Sequence, residues 1–257
     1  MNKKRNIIVH YHLFKNAGTS IDLMLEDSFG SDWIQYDETT EKHGKMLPSR
    51  LIEYILANKN IKAISSHRLV PPIINHEYLN VFPIILIRNP IDRAFSAYQF
   101  QVKVQKSFGT LETTFEDYIK HFAKPNLLNK NSIMNYQSIH LSNSSYDLLN
   151  IDFENKSNNL KFYEEALKNI ESLELIGLVD QYDSYINKFG LKYSRFFPEL
   201  KITTHHENVT QDKNKTLEEK ILNIKNSLTQ ETYNLLVSNN SEDQKLYNFV
   251  LNKSQLS

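Results

Sequence analysis

Asn6-Ile7-Ile8-Val9-His10-Tyr11-His12-Leu13-Phe14-Lys15-Asn16-Ala17-Gly18-Thr19-Ser20 is the stretch whose reading decides the fold. Asn6 to Phe14 begins apolar and β-branched, the composition of a strand. Lys15 to Ser20 forms a tight loop, and Ile21, Leu23, Met24 and Leu25 support a helix beginning near Thr19. Such a strand, loop and helix aim backbone N–H groups and the positive end of a helix dipole at one point, which suits a phosphate or sulfate. Gly18 permits close approach of the backbone. Thr19 and Ser20 add hydroxyl donors, and Lys15 adds a mobile cation. Standing alone, the same Gly-Thr-Ser would read as a turn and a helix cap.

Outward from this stretch the pattern repeats. Trp33 to Tyr36 predicts a short strand, Leu47 to Ala57 an amphipathic helix with Pro48 in its first turn, and Ile61 to Ser65 a buried strand ending at Ser66-His67. Val81 to Ile87 is apolar nearly throughout and predicts a buried strand, after which Arg88-Asn89-Pro90 opens a helix from Ile91 to about Val104. Repeated strand, loop and helix units predict an α/β fold with a central parallel sheet covered by helices. The second half is helix-rich, with helices expected over Phe115–Phe122, Lys130–His140, Asn159–Glu171, Gln181–Phe189, Thr216–Leu228 and Gln230–Asn252. Leu173 to Leu178 is a further strand candidate, Ser194 to Asn208 reads as irregular, and the Asn- and Ser-rich stretch Asn143 to Asn158 as a surface loop. Neither a repeat nor a linker divides the chain, so residues 1–257 are read as a single domain.

The second informative segment is Ile87-Arg88-Asn89-Pro90-Ile91-Asp92-Arg93-Ala94-Phe95-Ser96-Ala97-Tyr98. Arg88 ends a buried strand, and Arg93 and Ser96 share a helix face at i, i+3. Arginine and serine converging on one anion make a charge-assisted clamp. Arg93 with Asp92 also reads as surface charge, and Ser96 as a small core residue.

Together the two segments resemble the sulfotransferase superfamily. Lys15-Asn16-Ala17-Gly18-Thr19-Ser20 is similar to its 5′-phosphosulfate loop, and Arg88-Asn89-Pro90 with Arg93, Ser96 and Tyr98 to its 3′-phosphate motif. The pattern is nearest to carbohydrate sulfotransferases, including the uronosyl and heparan sulfate 2-O-sulfotransferase group. Leu175-Ile176-Gly177-Leu178-Val179-Asp180-Gln181-Tyr182 resembles a later strand and helix start of the family. The resemblance implies a three-layer, P-loop-like fold and 3′-phosphoadenosine 5′-phosphosulfate (PAPS) as donor, with adenosine 3′,5′-bisphosphate as product. It implies that Lys15 and the backbone of Asn16, Ala17, Gly18, Thr19 and Ser20 hold the 5′ end, and that Arg88 and Ser96 hold the 3′-phosphate. His206, Asn208 and Thr210 stand where family members close a late loop over the nucleotide. Animal relatives are anchored in the Golgi. This chain starts its first strand almost at Met1, so a bacterial, cytoplasmic member is expected.

Transfer needs a base to take the acceptor proton, and histidine suits that task near neutral pH. His67, at the end of a strand in the expected crevice, is the first candidate and resembles a family histidine. His43 is the second, and Glu38 and Glu41 are lesser ones. Arg68, Tyr136 and Gln137 are candidates for the acceptor, a carbohydrate or glycoconjugate, with Tyr98 and Tyr36 behind them.

Composition bounds the alternatives. Lys plus Arg balances Asp plus Glu at 30 each, so a nucleic-acid partner is not expected and any anion site is local. The chain has no cysteine, which removes disulfides and thiolate chemistry, and its nine histidines form no compact metal motif, so no metal is expected. No stretch approaches the length of a membrane span. Aligned on Gly18, a G-x-x-x-x-G-K-[ST] loop would place its lysine at Thr19 and its first glycine at Leu13. A small-molecule kinase using ATP and magnesium therefore stays second, and a non-catalytic nucleotide- or glycan-binding module third.

Overall fold

β1 (Arg5–Tyr11) divides the molecule, because neighbouring side chains on a strand point to opposite faces. Ile7 and Val9 enter one apolar cluster and Ile8 enters another. All three are fully buried, and burial of such side chains contributes about 1.5–3 kcal/mol each. The computed structural model describes residues 4–38, 44–123, 132–142, 156–205 and 215–256.

β1 pairs in parallel with β3 (Ala63–Ser66) and β4 (Leu79–Ile84), and β3 pairs with β2 (Trp33–Gln35), giving the order β2-β3-β1-β4. Beyond Ile85 the chain continues as β5 (Leu86–Ile87), which pairs in parallel with β6 (Gly177–Leu178). The helices are α1 (Gly18–Phe29), α2 (Pro48–Ala57), α3 (Pro90–Tyr98), α4 (Phe115–Phe122), α5 (Tyr136–Leu141), α6 (Lys156–Ile170), α7 (Tyr182–Tyr193), α8 (Leu217–Asn226), α9 (Gln230–Ser238) and α10 (Ser241–Leu256). α1 and α7 bury Ile21, Met24, Ile186 and Phe189 on the Ile8 face. α2, α5, α6 and α10 bury Leu51, Leu141, Ile170 and Leu246 on the other face, so the core has three layers. α3, α4, α8 and α9 surround a separate cluster that includes Ala94, Tyr118, Ile224 and Leu236. The expected α/β class, parallel sheet and helix-rich second half are all present. Among the described residues, no helix is long and apolar enough to cross a membrane.

Several boundaries differ from the sequence expectation. Val81–Ile87 is two strands: β4 is held by β1, and after Ile85, whose carbonyl accepts from Gly177 N–H at 3.1 Å, β5 turns to β6. The expected strand Leu173–Leu178 shrinks to two residues. Its Gly177 packs so closely that a Cβ there would lie 2.4 Å from the Tyr185 ring. The helix expected over Ile91–Val104 changes to a π-helical turn at Gln99–Val104. The helix expected over Lys130–His140 starts only at Tyr136, after Asn135 at φ 43°; Lys130 and Asn131 lie outside the described residues. Gln230–Asn252 is broken at Asn239-Asn240 into α9 and α10. Most of the loop expected over 143–158 lies outside the described residues.

Candidate active site

The segments following β1, β3 and β5 open on one crevice of about 1210 Å³, lined among others by Lys15, Thr19, Ser20, His67 and Arg88. Parallel α/β sheets bind ligands at this carboxyl edge.

The loop after β1 holds two non-glycine residues in left-handed conformation, Lys15 at φ 63° and Ala17 at φ 60°. Each costs on the order of 1–3 kcal/mol and persists only where the surroundings impose it. Asn16 supplies that restraint. It is buried, and its Nδ2 donates to the Leu86 carbonyl at 2.6 Å and to Gln137 Oε1 at 2.7 Å. Its side chain therefore ties the loop to β5 and α5 and stays out of the crevice lining. Ala17 caps α1 with no side-chain acceptor of its own, so the positive end of that helix is turned on the crevice. Gly18 is demanded by a neighbour: a Cβ there would lie 2.0 Å from the His12 ring.

Arg88 joins the two motifs. Its Nη1 donates to the Lys15 carbonyl at 2.9 Å, and its Nε donates to Asp92 Oδ2 at 2.6 Å. Asn89 caps α3, accepting from the Ile91 and Asp92 N–H groups, and Pro90 occupies the first helical turn. The Lys15 ammonium lies 4.3 Å from the centre of the Phe100 ring in the π-helical turn. Burial, with the Arg88 charge second, pushes the Lys15 amine down to about 8.

Gln137 holds this junction from behind. It is 0% exposed. Its Oε1 accepts from Arg88 N–H at 2.9 Å and its Nε2 donates to the Arg88 carbonyl at 2.9 Å. Asp243 of α10 accepts from the Gln137 and Ser138 N–H groups at 3.0 and 2.7 Å. In return, Asn135 Oδ1 accepts from the Glu242 and Asp243 N–H groups at 3.0 and 3.2 Å. α5 and α10 thus cap each other.

Several residues read from sequence as ligand contacts are structural supports here. Gln137 is sealed behind the crevice. Tyr136 accepts from the Phe14 N–H at 3.3 Å, with its ring 4.7 Å from the Arg93 guanidinium. Arg93 is neither surface charge nor crevice lining: it is 0% exposed and its Nη1 donates to the Ser132 carbonyl at 2.6 Å. Ser96 is buried in α3 and does not line the crevice. Tyr36 stacks on Tyr54 at 3.9 Å, and the Tyr98 hydroxyl donates to the Thr113 carbonyl at 2.9 Å. Arg68 remains exposed beside His67, with Nη1 packed over Gly44. Glu38 is exposed and outside the lining. His43, Glu41, His206, Asn208 and Thr210 lie outside the described residues.

His67 is exposed at the crevice, and its turn is set by Asp37, which accepts from the His67 N–H at 2.8 Å and the Ser66 hydroxyl at 3.0 Å. Desolvation, then the neighbouring His12, lowers its pKa and favours the neutral ring. The His12 ring lies 3.7 Å from that of His67, centre to centre. His12 and His10 both reach Asp22 on α1, each with Nδ1 2.9 Å from a carboxylate oxygen. Burial pushes the Asp22 carboxyl up, but its contacts with the two imidazoles outweigh this and hold it well below the usual carboxylate range. The ligating atoms of His10, His12 and Asp22 fall within 4.8 Å of one another, a spacing a metal ion could also use. The sequence reading missed this group. Its signal is His10-x-His12 on one strand face, with Asp22 one helical turn past Gly18.

Residues 1–250 match the profile of the sulfotransferase family. The chain is also similar to a protein of Archaeoglobus fulgidus described as uncharacterized. The two are 29% identical over 261 residues, an alignment covering 96% of each chain.

Proposed function

The chain belongs to the sulfotransferase family, and from that premise we propose that residues 1–257 act as one domain that transfers a sulfuryl group from PAPS to a hydroxyl of a glycan or glycoconjugate. The observation that carries the proposal is the bond from Arg88 Nη1 to the Lys15 carbonyl, 2.9 Å long, which puts both cationic anchors on one crevice. The fit of the donor rests on Lys15, Arg88 and the first residues of α1 all lining that crevice, and on a volume ample for a nucleotide.

Lys15 and the loop from Ala17 to Ser20 neutralise the 5′ end, where negative charge grows as the sulfuryl group departs. Arg88, aligned by Asp92, takes the 3′-phosphate. Asn16 and Gln137 support these groups from behind. The donor supplies the sulfuryl group and is released as adenosine 3′,5′-bisphosphate. His67 accepts the proton of the acceptor hydroxyl, and its lowered pKa keeps a ring nitrogen available at neutral pH. Arg68, exposed next to it, is the residue assigned to acceptor binding.

A sulfate-transfer assay with labelled PAPS and a panel of glycans, in EDTA, tests the reading. Transfer to at least one glycan is expected. In His67→Ala, turnover falls about 10²–10⁴-fold while bisphosphate binding persists. Phosphate transfer from ATP that requires magnesium, with no sulfate transfer, would establish the kinase alternative instead.

A further inference from the structure

Past the proposed base, the crevice continues to the edge strand of the sheet. Lys15 follows β1, Arg88 follows β5 and His67 follows β3, so in the order β2-β3-β1-β4 the strand β2 lies beyond His67, on the side away from the anchors. Two residues of β2, Trp33 and Gln35, line the crevice there, and Asp22 and Glu26 line it from α1. Trp33 is half-buried and packs against the apolar cluster on the Ile8 face. Its Nε1 donates to Ser65 Oγ at 3.1 Å, and the same oxygen lies 3.1 Å from His10 Nδ1. Ser65 stands two residues before His67, a rise of about 7 Å along a strand. The indole is thus fixed beside the base. With its N–H spent on Ser65, the surface it offers the crevice is carbon.

Charge divides the lining in the same way. Lys15 and Arg88 are the nucleotide anchors, and Lys215 and Lys220 belong to the start of α8, which shares an apolar cluster with α3. Among the described residues, no lysine or arginine lines the β2 flank. Its charged side chains are Asp22 and Glu26, four residues apart on one face of α1. Asp37 stands close by, accepting from the His67 N–H and, at 2.9 Å, from Gln35 Nε2.

We propose that Trp33 is the platform on which the acceptor sugar stacks, and that this acceptor is a neutral glycan, not a polyanionic one. The C–H face of a pyranose packs on the indole, whose faces carry negative partial charge. Its hydroxyls donate to Glu26 and to Gln35 Oε1, which turns one hydroxyl toward His67. A sugar bearing carboxylate or sulfate would meet Asp22 and Glu26 with like charge, and that repulsion selects against it. Arg68, exposed and outside the lining, meets the acceptor beyond the stacked ring. The inference rests on the reading of the crevice as a sulfotransferase site with His67 at its acceptor end, and it narrows the acceptor from glycans in general to uncharged ones.

Trp33 is the single tryptophan of the chain, so its emission reports on this flank in the unaltered protein. The full-length protein is assayed with labelled PAPS on neutral oligosaccharides (N-acetyllactosamine, cellobiose and mannobiose) and on polyanionic chains (heparosan and chondroitin). The sugar that accepts sulfate is then titrated into the complex with adenosine 3′,5′-bisphosphate. Transfer to a neutral oligosaccharide is expected, with a shift of the tryptophan emission as that sugar binds. In Trp33→Ala its KM should rise about tenfold while bisphosphate affinity holds, and Trp33→Phe should recover most of the loss. Glu26→Lys changes an exposed helix position and leaves the core intact, and it should raise the same KM. Transfer confined to the polyanionic chains, or an accepted sugar that leaves the tryptophan emission unchanged, would overturn the inference. Bisphosphate binding with transfer to no sugar would also overturn it and leave the nucleotide site standing. Failure of the bisphosphate to bind at all would remove both.

Discussion

Lys15 is where local structure and chemistry meet. A left-handed backbone turns it into the crevice, and burial beside Arg88 brings its amine down to about 8. The sign of the pH effect follows. The ammonium is present below that pKa and is lost as pH rises through it, so kcat/KM for the donor should fall above about pH 8. In Lys15→Arg that limb should vanish whatever the absolute rate, because the guanidinium stays charged. Persistence of the limb would assign it to another group. Gly18 makes a second residue-scale test. A Cβ there meets the His12 ring at 2.0 Å, so Gly18→Ala must displace the imidazole or the loop. A stability loss of about 1–3 kcal/mol in denaturant unfolding is expected, together with weaker bisphosphate binding. Lys15, Gly18 and Arg88 were legible in the sequence because each ends or follows a recognisable strand. His12 and Asp22 were not, since their meeting depends on how α1 packs over β1.

At the scale of elements, α5 and α10 are joined by reciprocal caps, and this pairing carries the back wall of the site. Asp243 satisfies two N–H groups at the start of α5, and Gln137 passes that order to Arg88 and Asn16. Asp243→Ala leaves buried donors unpaired and should cost about 1–3 kcal/mol. Thermal melting should show this as a fall of roughly 2–4 °C per kcal/mol. The same variant should weaken bisphosphate binding although Asp243 lies outside the crevice lining. A variant that melts earlier but binds normally would separate the caps from the site. The sequence shows helix periodicity and so predicted α4 to the residue, and the structure starts that helix with a Thr114 and Asp117 capping box. It could not show that Asn135 turns left-handed to cap another helix, so α5 was drawn too long. Gln137 looked like an acceptor contact for the same reason: nothing local in the sequence indicates that its amide is spent on the Arg88 backbone.

Across the whole molecule, the arrangement follows from β1. Its two faces seed two apolar clusters, and its carboxyl end, with those of β3 and β5, collects Lys15, His67 and Arg88 around one crevice. The class and layering were readable because strand, loop and helix units recur along the first half. The division of β4 from β5 was not, since it depends on which neighbour each segment pairs with. The central claim is that the crevice grips both charged ends of one nucleotide without a metal. Isothermal titration calorimetry of adenosine 3′,5′-bisphosphate and adenosine 5′-monophosphate in EDTA tests it most directly. The bisphosphate should bind more tightly than the monophosphate to the wild type, and Arg88→Ala should erase that difference. Equal affinity of the two nucleotides for the wild type, or binding that appears only with magnesium, would contradict it.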